Sequence, residues 1–215
     1  MSITLSTVRR ALSLPDFDGR SAQLAMIPQF RPGERPYSPT TSPRLGSVLA
    51  LLYCHDDALH VLLTRRREDL NSHAGQISFP GGRRDPGETF LATALRETHE
   101  EVGVPPDSLT ILGELTRIYI LPSDYEVQPF VAWHADGRRP RFRPNAAEVA
   151  ELLEVPLAHL LDPANCHEEP WQLGSLRMQI RFFEFNGHKV WGATAMMLNE
   201  FVERLRLVMG NNELK

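Results

Sequence analysis

Residues 81 to 104 read GGRRDPGETFLATALRETHEEVGV, with four glutamates, Glu88, Glu97, Glu100 and Glu101, behind the Gly81-Gly82 pair. Placed on a helix at 3.6 residues per turn, Thr89 to Val102 puts Leu91, Ala94, Leu95, Thr98 and Val102 in one packing arc of roughly 100°. Glu97, Glu100 and Glu101 gather in another. Like charges at these spacings cost about 0.2–0.5 kcal/mol per pair, and acids near a helix C-terminus oppose its macrodipole. A solvated face is the ordinary fate of three such glutamates, and a bound cation is the alternative. Two neighbours favour the cation. Gly81-Gly82 follows the strand-like QISF and precedes a Pro-Gly turn, which predicts an exposed backbone in a tight loop, and Arg96 stands where its guanidinium can fix a carboxylate. Clustered hard oxygens suit Mg²⁺ or Mn²⁺, which bind through a few carboxylates plus phosphate oxygens. The chemistry implied is metal-assisted attack on a phosphoanhydride, with a carboxylate not committed to metal taking the proton of the attacking water.

The elements that position this helix are legible in outline. An amphipathic stretch over Thr7–Leu14 predicts an N-terminal helix, followed by a proline-rich arm to residue 45. SVLALLYC and HVLLTRRR predict a hairpin about HDDAL, and LTILGELTRIYIL and YEVQPFVAWH predict further strands. NAAEVAELLEVPLAHLLD is ambiguous before a short helix at Pro156–Leu161. LRMQIRFFEF and KVWG predict a strand pair about NGH, and ATAMMLNEFVERLRLV a closing helix. Trp191 and Met196 to Leu198 read as core. Helices mixed with strands, without regular alternation, predict an α/β fold with a mixed sheet between helices. The expected organisation is an arm over 1–45, one domain over 46–210 and a polar tail over 211–215.

Composition narrows the partners. The 215 residues carry a formal net charge of −4, which argues against a nucleic-acid duplex or an anionic membrane, and no apolar run approaches the roughly 20 residues of a membrane span. Cys54 and Cys166 lie in neither metal-ligand nor disulfide spacing, so a reducing, cytoplasmic setting is expected. Arg65, Arg66 and Arg67 end a strand close to the glycine pair and are the candidate local positive charge for an anionic substrate. Outside the helix, Glu148 and Glu151 are candidates for an extra ligand or base, and His73 reads as a hydrogen-bonded loop residue. A homodimer is compatible with the sequence.

Gly82, Glu88, Arg96, Glu97, Thr98, Glu100, Glu101, Gly103 and Val104 match the Nudix box, G-x5-E-x7-R-E-U-x-E-E-x-G-U, with Thr98 filling an apolar slot approximately. The chain thus resembles the Nudix hydrolases. That resemblance implies an α/β/α sandwich with a mixed β-sheet, metal ligation by Glu97 and Glu101, and Glu100 as a further ligand or base. It also implies that Arg96 orients the glutamates.

Before the box, Leu62, Leu63, Thr64, Arg66, Gly75, Gln76, Phe79, Pro80, Gly81 and Gly82 resemble the segment typical of the coenzyme A pyrophosphatase branch, with Arg67 and Asn71 departing from it. LPSDYEVQPFVAW and KVWGATAMML resemble that branch downstream, with Asp124 replacing a glycine. The implied reaction is divalent-metal-dependent hydrolysis of coenzyme A or acyl-coenzyme A to 3′,5′-ADP and (acyl-)phosphopantetheine. Arg65, Arg66, Gly81 and Gly82 are the expected substrate contacts. An alternative substrate is another nucleoside diphosphate derivative, such as ADP-ribose, NADH or a nucleoside triphosphate. A third reading, a module that binds nucleotides without cleaving them, has no use for a costly acidic cluster.

Overall fold

The structure, a computed structural model, describes residues 3–30, 42–69, 75–173 and 176–210. His73, Asn71, most of the proline-rich arm and the 211–215 tail fall outside the described residues.

The N-terminal helix α1 (Leu5–Leu12) starts two residues before the amphipathic pattern suggests. Thr4 caps it, accepting from the Thr7 N–H at 3.2 Å while Thr7 Oγ1 accepts from the Thr4 N–H. This reciprocal cap satisfies two otherwise unpaired helix-end groups. A short α2 (Gly19–Leu24) and the two-residue β1 (Gln29–Phe30) follow.

The expected hairpin is β2 (Arg44–His55) and β3 (Ala58–Arg66), antiparallel with Leu52 opposite Val61. Asp56 and Asp57 turn it with φ of 46° and 59°, the left-handed conformation of a two-residue turn that matches strand twist. Then come β4 (Ile77–Ser78), β5 (Gly81–Arg83) and α3 (Phe90–Val102). The apolar run expected as one strand is split into β6 (Leu109–Glu114) and β7 (Ile118–Ile120), both pairing with β8 (Tyr125–Arg138). The ambiguous stretch resolves as β9 (Val149–Pro156) and α4 (Leu157–Leu161). The chain ends with β10 (Cys166–Leu173), β11 (Leu176–Phe185), β12 (His188–Val190) and α5 (Gly192–Gly210).

Among the described residues the main sheet runs β4-β3-β2-β8-β6, with β5 beside β2, β7 beside β8 and β9 beside β3. It is mixed, because β2 and β8 are parallel while its other pairs are antiparallel. A smaller sheet joins β1, β10 and β12 to β11. CHEEPWQL gives no apolar alternation, and β10 forms because β11 offers it an edge.

Period-two alternation divides the main sheet into two faces. Leu49, Leu51, Tyr53 and Leu62 pack with Ala94 and Val102 of α3, whereas Ala50, Leu52, Val61 and Leu63 pack with Val8, Phe201 and Leu205 of α1 and α5. An α/β/α sandwich results. No helix among the described residues is long and apolar enough to cross a membrane.

The break between β6 and β7 has a polar cause. Glu200 on α5 is fully buried, and its carboxylate accepts from the Thr116 N–H and Oγ1, from Gln23 Nε2 of α2 and from Arg204. Gly19 lies so close that a Cβ there would meet Thr116 Oγ1 at 2.0 Å. This paired, hydrogen-bonded charge ties α2 and α5 to the turn. Removing one partner of a buried pair leaves the other uncompensated, so Glu200→Ala should lose about 3–5 kcal/mol of stability. Urea unfolding measures it, and a loss below about 1 kcal/mol would show that the network contributes little.

Candidate active site

Thr89 caps α3 through the Ala92 N–H, so the helix begins one residue inside the expected span. Its packing face is turned from the expectation. Thr93, Ala94, Thr98, Glu101 and Val102 are buried, while Leu91 and Leu95 are only partly covered. The three glutamates therefore do not share one solvated arc: the Glu101 side chain is 5 % exposed, Glu97 16 % and Glu100 53 %.

The glycine pair explains how carboxylates fit under the helix. Gly81 and Gly82 are not a free loop but form β5, paired with Val48 and Ser47 of β2. A Cβ on Gly82 would lie 2.5 Å from the Glu97 carboxyl carbon, and one on Gly81 would meet the Ser47 carbonyl at 2.4 Å. Only glycine lets strand and helix approach this closely. The Gly81 backbone amide lies close enough to the Glu101 carboxylate to favour its charged form.

Arg96 organises the rest. Its Nε and Nη2 grip Glu88 at 2.8 and 3.0 Å, its Nη1 reaches Glu97 at 2.9 Å and Glu100 at 3.1 Å, and Nη2 also donates to the Arg83 carbonyl. The Arg96 and Thr93 hydrogen bonds hold the Glu88 carboxyl down at about 2. Glu88 is thus a fixed anion that anchors the guanidinium, a role visible beforehand only as the first glutamate of the box.

The inner carboxylates are strained electrostatically. Burial pushes Glu97 up despite Arg96, with Glu100 and Glu148 adding like charge. Burial pushes Glu101 up to about 8, against the pull of Arg66, with Glu97 and Glu148 raising it further. Arg66 Nη1 stands 3.7 Å from Glu101, too far for a hydrogen bond, so burial outweighs the ion pair. Arg66 Nε and Glu101 Oε2 are buried without a hydrogen-bond partner.

Arg65 and Arg66 diverge because adjacent strand residues face opposite sides. Arg66 faces α3. Arg65 faces the α5 side, where it binds Glu151 and Glu68, each at 3.1 Å, so the expected pairing of both arginines on one substrate is not what β3 delivers. Glu151 goes with it, also contacting His188. Glu148 instead comes to the glutamates. The loop carrying it caps α3, with the Asn145 and Arg143 N–H groups donating to the Glu101 and Val102 carbonyls at 2.8 and 2.9 Å. The sequence offers Glu148 and Glu151 alike as candidates, and which of them reaches the glutamates depends on where β9 pairs.

The acceptor chemistry fits a hard divalent cation: a buried orphan oxygen on Glu101 beside the Glu97 carboxylate, with the like charge of Glu148 near both. No three His, Cys, Asp or Glu side chains among the described residues are already closed into a metal-holding set. Arg96 instead bridges Glu88, Glu97 and Glu100. A cavity of about 590 Å³ lies elsewhere, between Phe17, Arg181 and Leu207.

An α/β/α sandwich with this helix and carboxylate set is the frame of a phosphoanhydride hydrolase. The NUDIX domain model matches residues 43–173, and the chain belongs to that family. It is a Nudix pyrophosphohydrolase, of a family whose members use divalent metals. It is 35 % identical over 191 residues to an uncharacterized Nudix hydrolase, NudL, of Pectobacterium atrosepticum, covering 88 % of this chain and 93 % of that one. It is also 35 % identical over 170 residues to Nudix hydrolase 3 of Caenorhabditis elegans, covering 72 % and 70 %. In fold it resembles the Nudix hydrolase RenU of M. smegmatis, with TM-score 0.50, 22 % identity and coverage of 79 % and 87 %. A MutT/nudix family protein from Enterococcus faecalis gives TM-score 0.50 at 14 % identity, covering 98 % and 81 %.

The raised Glu101 value has a pH consequence. In chelator, the folded protein keeps a proton that the unfolded chain releases above about 4.5, so stability falls as pH rises from there to about 8. The slope reaches at most about 1.4 kcal/mol per pH unit. Glu101→Gln should flatten it, read from denaturant unfolding at several pH values. Equal slopes in both proteins would place Glu101 in an ordinary carboxylate environment.

Proposed function

We propose that this enzyme hydrolyses the diphosphate linkage of coenzyme A or acyl-coenzyme A, giving 3′,5′-ADP and (acyl-)phosphopantetheine. The observation that carries the chemistry is the buried, unpaired oxygen of Glu101 beside Glu97. Support for the substrate comes from the segment before the box. Its two halves pair in space, with the Arg66 N–H donating to the Gln76 carbonyl at 2.9 Å and Thr64 Oγ1 to the Ser78 carbonyl at 3.4 Å. The described parts of the coenzyme-A-like segment thus pair along β3 and β4, and the segment ends at Gly81 and Gly82 beside the glutamates.

Glu97, Glu100 and Glu101 would hold Mg²⁺ or Mn²⁺. When bound, the cation screens the diphosphate and lowers the pKa of water. Arg96 keeps Glu97 and Glu100 in place by anchoring itself on Glu88. Arg66, whose Nε has no partner, supplies positive charge to a substrate phosphate. Glu100, the expected base, is half exposed and committed to Arg96. Glu148 lies close enough to raise both Glu97 and Glu101, so in this reading Glu148 takes the proton of the attacking water and Glu100 completes the ligands.

The experiment is a substrate panel with Mg²⁺ and Mn²⁺, resolved by product mass, repeated on two variants. Coenzyme A should yield 3′,5′-ADP; turnover of ADP-ribose or NADH alone would replace the substrate. Glu148→Gln should lower kcat by about 10² or more, the scale of a general base, without raising the metal concentration needed for half activity. Glu100→Gln should raise that concentration. The reverse pattern would return the base to Glu100.

A further inference from the structure

At the other end of the Nudix helix, Phe90 carries two arginines. The guanidinium carbon of Arg84 lies 4.9 Å from the ring centre and that of Arg117 lies 4.6 Å from it. Two cations share one ring with little counter-charge. Among the described residues Arg84 has no carboxylate partner, and its Nη1 donates to the Glu88 carbonyl at 3.3 Å. Arg117 Nε donates to the neutral Gln128 side chain at 3.2 Å, and its Nη1 meets the partly exposed Glu126 only at 3.5 Å. By contrast Arg67, Arg96, Arg139 and Arg206 each hold a carboxylate at 2.6 to 2.8 Å.

The pair is built in place. Gln128 is buried and pinned, its Nε2 donating to the Leu115 carbonyl and its own carbonyl accepting from Ser47 Oγ. Thr116, just before Arg117, is held by Glu200. Seven residues separate Phe90 from Glu97 and eleven separate it from Glu101, so all three lie on one stripe of α3. Phe90, which carries the arginines, therefore sits roughly 10 Å along the helix from Glu97 and roughly 16 Å from Glu101, at 1.5 Å per residue. Planar guanidinium groups stacked on an aromatic ring with unspent donors suit a phosphate.

We propose that Arg84 and Arg117 on Phe90 form a second anion subsite, which takes a phosphate monoester carried by the substrate roughly 10 to 16 Å along the helix from the glutamates that face the diphosphate being cleaved. This rests on the reading of the chain as a hydrolase of phosphorylated nucleotide diphosphates such as coenzyme A. The subsite makes the enzyme selective for a substrate bearing that extra phosphate.

The test compares kcat/KM for coenzyme A and for dephospho-coenzyme A, which lacks only the 3′-phosphate, in the wild type, Arg84→Gln, Arg117→Gln and Arg117→Lys, with melting curves to confirm folding. The preference for coenzyme A should fall about tenfold in each glutamine variant, through KM, the scale of one lost charge-assisted contact. Arg117→Lys should keep an intermediate preference. An unchanged preference in both glutamine variants overturns the subsite while leaving the coenzyme A reading intact. If the wild type cleaves neither compound, the coenzyme A reading has failed, and NADPH against NADH, again differing by one phosphate monoester, takes their place. There the same tenfold fall supports the subsite and an unchanged ratio overturns it.

Discussion

Burying negative charge under a helix is the constraint to which the rest of the site answers. A carboxylate removed from water is costly unless it is paired or neutralised, and α3 places Glu97 and Glu101 against β5 with too little positive charge to compensate. Arg96 offsets Glu97 in part, but its strongest grip is on Glu88. Arg66 stops 3.7 Å short of Glu101. Glycine at 81 and 82 makes the approach sterically possible, and the loop from Arg143 to Glu148, by capping the helix end, brings in a further acid rather than a base.

Glu200 shows what the same chain does with a buried acid when stability alone is at stake. Its oxygens are filled by an arginine, a glutamine and a threonine, and it fastens α2 to the turn between β6 and β7 that carries Arg117. Glu101 has Arg66 no nearer than 3.7 Å to one oxygen and no hydrogen-bond partner on the other. The two residues are equally hidden from water, and the difference lies in satisfaction. That difference separates a structural anchor from a group kept available for a ligand.

The box could be read because its chemistry is local: Glu88, Arg96, Glu97, Glu100 and Glu101 lie within 14 residues, and helix geometry alone brings most of them together. The hairpin at Asp56-Asp57 and the closing helix were legible for the same reason. What required the third dimension was not. The rotation of α3 that hides Glu101 follows from the closeness of β5, which was expected to be loop. The parting of Arg65 from Arg66 follows from strand parity at the end of β3, and of Glu148 from Glu151 likewise at the start of β9. Strand β10 has no apolar alternation to betray it, and Phe90, an unremarkable helix residue in sequence, gains meaning only when Arg84 and Arg117 meet on it.

The central claim is that the inner glutamates are kept short of positive charge so that a divalent cation can supply it. The most direct measurement is a calorimetric titration of the full chain with Mn²⁺, alongside the double variant Glu97→Gln, Glu101→Gln. The account predicts saturable binding in the wild type and its loss in the variant, with a Mn²⁺-dependent rise in melting temperature that disappears in parallel, as linkage requires. Equal Mn²⁺ binding by both proteins would contradict it.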